Sequence, residues 1–414
     1  MSSIRATEPM DDGISENDLT INDLRKAIPD HCFSPFYLVA LSYLLRDISG
    51  IVMLATLAVL MSSRISNIYL CAILWCLYEL LQGLFATGLW ILGHECGHGA
   101  LFPSQRINDI VGWCLHSILF TPYFAWKLTH RRHHSYANHM EKDNHYVPYR
   151  REVYAAKLRI DRDQLDHLSS DAPGIAMARL FVQQLFGWPC YLLFYVTSGP
   201  ESMHPRKPGK WWQNNHFNPT SPLFSPEEFS SCVISDIGIG ITATGLWLLC
   251  KLFGFKTIAL LYLFPWLCVN HWIVAVTYLQ HNHPLVPRYE QSSWTFMKGA
   301  LATIDRDFGW VGRFFFHNVV DFHVVHHLFP QIPFYHAEEA TYAMIPILKS
   351  RYKADKSSSF LRSLWRTFSD CQWVKPREGG NDGELWFQKG PSPRPEVVMR
   401  RWRYIASMGD TVWM

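Results

Sequence analysis

Four apolar stretches decide what this chain can fold into: Phe36 to Met61, Ile68 to Leu92, Cys232 to Phe253 and Thr257 to Leu279. A helix crosses a bilayer with roughly 20 mostly apolar residues. Three of the stretches meet that length cleanly. The first contains Arg46-Asp47, which either pair with each other or mark the edge of a span beginning at Ile48. Charged residues make up 18% of the chain, below the roughly 25% of soluble domains, so composition agrees with a membrane protein. Two weaker stretches, Asp109 to Trp126 and Arg179 to Val196, are short and broken by polar residues or proline. They read as helices lying in the interface rather than crossing it.

The connections order these spans. The turns inside the first and second pairs are short and hold little charge beyond Arg64 and Lys256. Between the pairs runs a long polar region, Gly93 to Ser231, with many Lys and Arg. The positive-inside rule places that region and both termini in the cytosol. The predicted fold is an all-α integral membrane protein. Its four transmembrane helices (36–61, 68–92, 232–253, 257–279) form two hairpins beneath a cytosolic helical cap built from 93–231 and 281–352. Residues 1–35 are acidic and polar, lack the pattern of a cleavable signal, and read as a partly disordered tail. Residues 353–414 read as a cytosolic C-terminal tail. The ten cysteines show no CxxC spacing and are expected to be reduced. A net charge of +3 and the lack of a long basic run argue against a nucleic-acid partner.

The chemistry lies in the histidines. "HECGH" holds His94 and His98, "HRRHH" holds His130, His133 and His134, and "HVVHH" holds His323, His326 and His327. Residues three and four apart share a helix face, so each group can aim its rings at one point. His94 follows the second apolar stretch, and "QHNH", with His281 and His283, follows the fourth. With two hairpins, all of these fall on one side of the membrane. About nine imidazoles exceed the three or four that one zinc takes, so the set fits two metal ions. Imidazole suits Zn, Cu, Fe and Ni, and iron in such a site can activate O2. Arg131 and Arg132 disfavour protonated rings nearby and so keep the ligands neutral. His139, five residues beyond His134, reads as a surface or supporting residue.

Two other classes are testable against this one. His94-Glu95-Cys96-Gly97-His98 matches HExxH, the zinc protease signature, with Glu95 as base and Asp236 available as a third ligand. That reading leaves both HxxHH groups without a role. A non-catalytic haem or lipid carrier needs only one or two axial histidines and leaves the rest unexplained.

With the three boxes in place, the chain resembles the membrane-bound fatty acid desaturases, in the fungal-type branch acting at the Δ12 and ω3 (Δ15) positions. The resemblance runs from about Ile91 to Tyr352. It includes "WCLHSILFTPY", "TYLQHNHP", "ATIDRDFGW" and "HHLFPQIPFYHAEEAT". It implies nine iron ligands, His94, His98, His130, His133, His134, His281, His323, His326 and His327, holding two Fe ions. Structurally known relatives add an asparagine four residues before the ninth histidine, where this chain has Thr277. Asn270 is expected instead to be a satisfied helix-packing amide. His116, His283, His317, His336, Asp305 and Asp307 are candidates to support the ligands, with Arg306 part of the same salt-bridged element. The resemblance further implies O2 as co-substrate, a phospholipid-bound C18 acyl chain, and electrons from a separate cytochrome b5 and its NADH reductase. It implies the endoplasmic reticulum membrane as location. Hydroxylases, conjugases and acetylenases carry the same boxes.

Overall fold

A computed structural model of the protein describes residues 19–161, 165, 173–204, 210–377 and 379–387. Four of its helices are long and apolar enough to cross a membrane, and they coincide with the four apolar stretches of the sequence. After a short α1 (Ile21–Ala27), α2 spans Tyr37–Ser62 and α3 Ile68–His98. Then come α4 (Gln105–Ile118), α5 (Tyr123–Ser135), α6 (Arg151–Leu158) and α7 (Pro173–Phe194). The third long helix, α8, covers Phe229–Phe253. The fourth starts as α9 (Phe255–Ile258), passes through a π turn at Ala259–Leu263 and continues as α10 (Phe264–His281). Gly254 alone separates α8 from α9, in a left-handed conformation that glycine tolerates best.

Arg46 and Asp47 do not end the first span. The Arg46 guanidinium donates twice to Oδ1 of Asp47, at 2.8 and 2.7 Å, and α2 runs through both. Oδ2 of the same carboxylate lies 2.9 Å from Nε2 of His317, so the pair is answered by a third polar group.

Burial along α3 changes character partway. Ile68, Tyr69, Ile73, Leu77 and Leu80 are exposed, as lipid-facing residues are. From Ala86 to Cys96 every residue is buried. At 1.5 Å per residue a 31-residue helix is about 46 Å long, well beyond a hydrocarbon layer of about 30 Å. The turn that carries His94 is therefore enclosed by protein, and His98, at the very end, is partly buried. The helix stops at Gly99, whose φ of +70° is the left-handed cap that ends helices without steric cost. Hydropathy predicts an end near Leu92; the helix continues because its final turns are buried whatever their polarity.

The region predicted as one interfacial helix, Asp109 to Trp126, is two helices, α4 and α5, with the second box on α5. Beyond α10 come α11 (Phe296–Leu301), α12 (Gly309–Phe315), α13 (His323–Leu328), α14 (Ala337–Leu348) and α15 (Phe360–Asp370).

The chain is mostly helical but not all-α. Strands β1 (Tyr149–Arg150), β5 (Trp373–Pro376), β6 (Glu384–Phe387) and β2 (Arg288–Tyr289) form one sheet in the order β1-β5-β6-β2. β1 and β5 are parallel, and the other two pairings are antiparallel. β3 (Asp305–Arg306) pairs in parallel with β4 (Ala354–Asp355). Residues 354–377 and 379–387, predicted as tail, are thus folded into the body. So are residues 20–35, where Leu24, Ile28 and Cys32 pack on Val324, Val325 and Leu328. Residues 1–18 and 388–414 lie outside the described residues.

Candidate metal centre

Each histidine box sits on a helix. His94 and His98 occupy the last two turns of α3, one turn apart on one face. His130, His133 and His134 lie on α5, and His323, His326 and His327 on the six-residue α13. His281 is the last residue of α10. The elements bring all nine together in two groups.

The first group is His94, His98, His130, His134 and His326, with one ring nitrogen from each inside a 4.8 Å cluster. The second is His133, His281 and His327 on the same criterion, joined by His323, whose Nε2 is 3.1 Å from Nε2 of His281. The two HxxHH boxes are split in opposite senses. Box two sends its i and i+4 rings to the first group and its i+3 ring to the second. Box three does the reverse. The groups touch where His134 and His327 stack, with centroids 4.2 Å apart.

These contacts fit a cation better than a hydrogen-bonded cluster. The ε nitrogens of His94, His98, His130 and His134 follow one another at 3.3, 3.0 and 3.2 Å. A neutral imidazole nitrogen has one proton or one lone pair, so His98 and His130 would each serve two neighbours through a single position. Nε2 of His281 faces the same demand from His133, at 3.3 Å, and from His323. A central transition-metal ion takes every lone pair at once. Five of the rings are also held neutral, as metal ligands must be. Burial, reinforced by the neighbouring histidines, holds His130, His134, His323 and His327 well below the ordinary imidazole range, and His326 at about 3.

The surroundings differ by group. His133 donates from Nδ1 to Oδ1 of Asp143 at 2.6 Å, the imidazole–carboxylate arrangement that orients metal ligands. Asp143 also accepts from the backbone N–H of Asn138 (2.8 Å) and His145 (2.9 Å). Burial pushes its carboxyl up, but the His133 ring, its hydrogen bond, His145 and Arg288 outweigh burial and bring it to about 2. Arg288 donates to the carbonyl of His281 (3.0 Å) and to Asn282 Oδ1 (2.8 Å), fixing the end of α10. The buried Arg306 donates to the carbonyls of Leu279 (2.8 Å) and Asn282 (3.3 Å). Asp305 accepts from the N–H of Val324 (2.8 Å) and from Tyr352 (2.6 Å), so it anchors the first turn of α13. The first group leans on aromatic rings instead. Trp126 stacks on His130 (4.6 Å) and Trp90 on His94 (5.9 Å), with His116 stacked on the same Trp90 and its Nε2 3.0 Å from the Trp90 carbonyl. Glu95 contributes one contact, at 3.2 Å to Nδ1 of His94.

The remaining candidates lie elsewhere. His317 faces Asp47, as described above. His283 accepts from the N–H of Leu285 and lies 3.7 Å from Asp355. Asp307 accepts from the N–H of Gly309 and pairs with Arg313, a local cap on α12. His336 makes its ring contacts with His31, Phe36 and Tyr335, away from the nine. Arg132 pairs with Glu228 at 2.6 Å rather than facing the rings. His139 is buried and bonded to Gln291 and the N–H of Glu141. Asn270 is buried on α10 with no hydrogen-bond partner among the described residues, not the satisfied amide predicted. Asp236 belongs to neither histidine group. Sequence reasoning missed Asp143, Arg288 and His145, whose ring stacks on His133 at 3.7 Å.

A cavity of about 380 Å³ opens on these rings between α3, α7 and α10. Its walls include Trp90, Trp188, Tyr191, Trp272 and Val276, and it reaches His94, His133 and His281. Thr277 lines it as well. Its size and apolar lining fit a small-molecule site that admits a hydrocarbon chain.

Comparison with known proteins agrees with this architecture. The family model for fatty acid desaturase matches residues 71–358. An oleate hydroxylase of Claviceps purpurea is 40% identical over 391 residues, covering 90% of this chain and 81% of that protein. A Δ12 fatty acid desaturase of Mortierella alpina is 37% identical over 366 residues, covering 86% and 88%. An oleoyl-12-hydroxylase of Ricinus communis is 38% identical over 370 residues, covering 89% and 90%. The chain belongs to the fatty acid desaturase family, in its Δ12 branch, and is an acyl-lipid oxidoreductase.

Proposed function

We propose that the protein introduces a cis double bond at the Δ12 position of a phospholipid-bound C18 acyl chain, using O2 and two iron ions held by the nine histidines. One ion takes His94, His98, His130, His134 and His326, and the other His133, His281, His323 and His327. The opposed split of the two HxxHH boxes carries the reading, because a single ion needs no such division. Iron, when bound, supplies the activation of O2. The protein's own groups do the rest. Burial keeps His130, His134, His323, His326 and His327 neutral, Asp143 and Arg288 orient His133 and His281, and the aromatic cavity lays the chain beside the rings away from bulk water. The overall change removes two hydrogens from adjacent carbons. With two external electrons and two protons, O2 leaves as two waters.

The same reading takes the electrons from cytochrome b5 and its NADH reductase, and places the protein in the endoplasmic reticulum membrane. The four long helices form two hairpins, with the histidines in a cytosolic cap. His98 and His281 support this, since each ends a long helix and each belongs to one of the two adjoining histidine groups. The Mortierella alpina and Ricinus communis relatives are a Δ12 desaturase and an oleoyl-12-hydroxylase, which favours Δ12 over ω3. The Claviceps enzyme supports a second reading, hydroxylation, in which one oxygen atom enters a C–H bond and the other leaves as water.

Expression in a yeast lacking polyunsaturated lipids, followed by fatty acid profiling, tests both. New 18:2 is expected. A 12-hydroxy 18:1 product alone would replace desaturation with hydroxylation. Product formed only on feeding 18:2 would move the reaction to ω3. An unchanged profile despite bound iron would overturn the substrate class.

A further inference from the structure

Away from the nine histidines, a second donor cluster joins segments far apart in sequence. His31 and Cys32 lie in the 3-10 turn Asp30–Phe33, before the first span. His336 and Glu339 lie at the start of α14, just beyond the helix of the third box. Nε2 of His31 is 2.8 Å from Oε2 of Glu339 and 3.8 Å from Sγ of Cys32. The His31 and His336 rings meet edge-on with centroids 5.4 Å apart. One donor atom from each of the four residues lies within 4.8 Å of the others. Nε2 of His336 is buried and has no hydrogen-bond partner among the described residues.

We propose that His31, Cys32, His336 and Glu339 form a zinc site that fastens the N-terminal segment to the helix following the third histidine box. One thiolate, two imidazoles and one carboxylate make a complete four-ligand shell, the closed arrangement of structural zinc. With zinc about 2.3 Å from sulfur and about 2.0–2.1 Å from nitrogen or oxygen, tetrahedral neighbours stand roughly 3.3–3.7 Å apart. Two of the separations, 2.8 and 3.8 Å, bracket that range, and all four donors lie within 4.8 Å of one another, so closing the shell requires side-chain shifts of about 1 Å.

A hydrogen-bonded surface pair explains less. His31 and Glu339 are each about half exposed, where such pairs contribute little. Nor does a pair explain why a thiol and a second imidazole point at the same place. Burial, then Glu339, pushes the Cys32 thiol up to about 11, so it is neutral without metal, and zinc binding would have to release its proton against that shift. The consequence would be mechanical. Cys32 is fully buried in the same apolar layer as Val324, Val325, Leu328 and Ala337. A zinc ion there would clamp the layer on which the His323, His326 and His327 helix rests.

The test is metal analysis of the full-length protein, purified in detergent without chelator, together with Cys32→Ser and Glu339→Gln variants. The wild type is expected to carry about one zinc per chain, besides any metal at the nine histidines. Competition with a chromophoric chelator should show zinc bound at least about tenfold more weakly in each variant. Cobalt added to the wild type should give a thiolate-to-cobalt charge-transfer band that Cys32→Ser lacks. If Cys32→Ser does not fold, the half-exposed Glu339→Gln decides the matter. Equal zinc affinity in all three proteins, or a wild type that takes up no zinc from an equimolar solution, would overturn the site. The result does not depend on which acyl product the enzyme makes.

Discussion

The two histidine groups are held in place by different physics. His133 and His281 are tied into charged hydrogen bonds, through Asp143, Arg288 and Arg306, all buried. His94, at the end of a long helix, and His130, on the short α5, are held mainly by the faces of Trp90 and Trp126. A carboxylate behind a ligand fixes tautomer and direction together, whereas a stacked indole fixes the ring plane and leaves the proton free. The second group is therefore the more tightly specified, and the first relies on close packing.

Removing a ligand tests the comparison most severely. His281→Ala should abolish product and release the metal of the second group, leaving that of the first; metal content per chain reads this directly. Full activity in that variant would end the two-group description. Next comes Asp143→Asn, which keeps shape and removes charge. Loss of such a partner typically costs 10–100-fold in metal affinity or activity. The loss should appear as depletion of one metal rather than both. Uniform depletion would mean the groups are not separately supported.

Acid should distinguish the groups less sharply. His130, His134, His323, His326 and His327 are kept neutral when folded but take protons near pH 6.5 when unfolded. Below that pH the unfolded chain binds more protons, so the stability of metal-free protein should fall as pH falls. Asp143 acts in a lower window. Its stabilisation is complete above the unfolded value of 3.8 and is lost as pH drops toward about 2. Thermal melts of chelator-treated protein from pH 8 to 5 read the first effect, and a flat profile would contradict the buried neutral rings. The smallest expected change is Trp126→Phe. It keeps a stacked ring on His130 and should lower activity only severalfold, since such aromatic pairs contribute about 0.5–1.5 kcal/mol beyond area. A loss as large as that of Asp143→Asn would show that stacking and charge are equally demanding here.

The histidine clusters were legible because helices that gather rings on one face leave a spacing of three and four, and the four long helices because they carry long apolar runs. His94, His130 and His323 could be picked out on spacing alone. The opposed sharing of the boxes was not legible, since it depends on how α5 and α13 face each other in space. Asp143 left no signal. It sits in a loop nine residues past His134, and only its distance to His133 singles it out. His336 looked like a partner of the nine because it follows the third box closely. The turn at Ile332 to Phe334 instead carries it toward His31. Strands of two to four residues show no usable alternation, which is why residues 373–387 read as tail.

Those strands set an order of events during synthesis. β5 and β6 bridge Tyr149–Arg150 to Arg288–Tyr289, and Arg288 holds the end of the helix that bears His281. The chain emerges from its N-terminal end at about 5–20 residues per second. All nine imidazoles have therefore left the ribosome before the segment that ties their supports together exists. A newborn chain passes through an interval in which its histidines are synthesised but not yet braced by that sheet. Capture of metal in that interval would have to tolerate a loose site, and the final two strands then close around it.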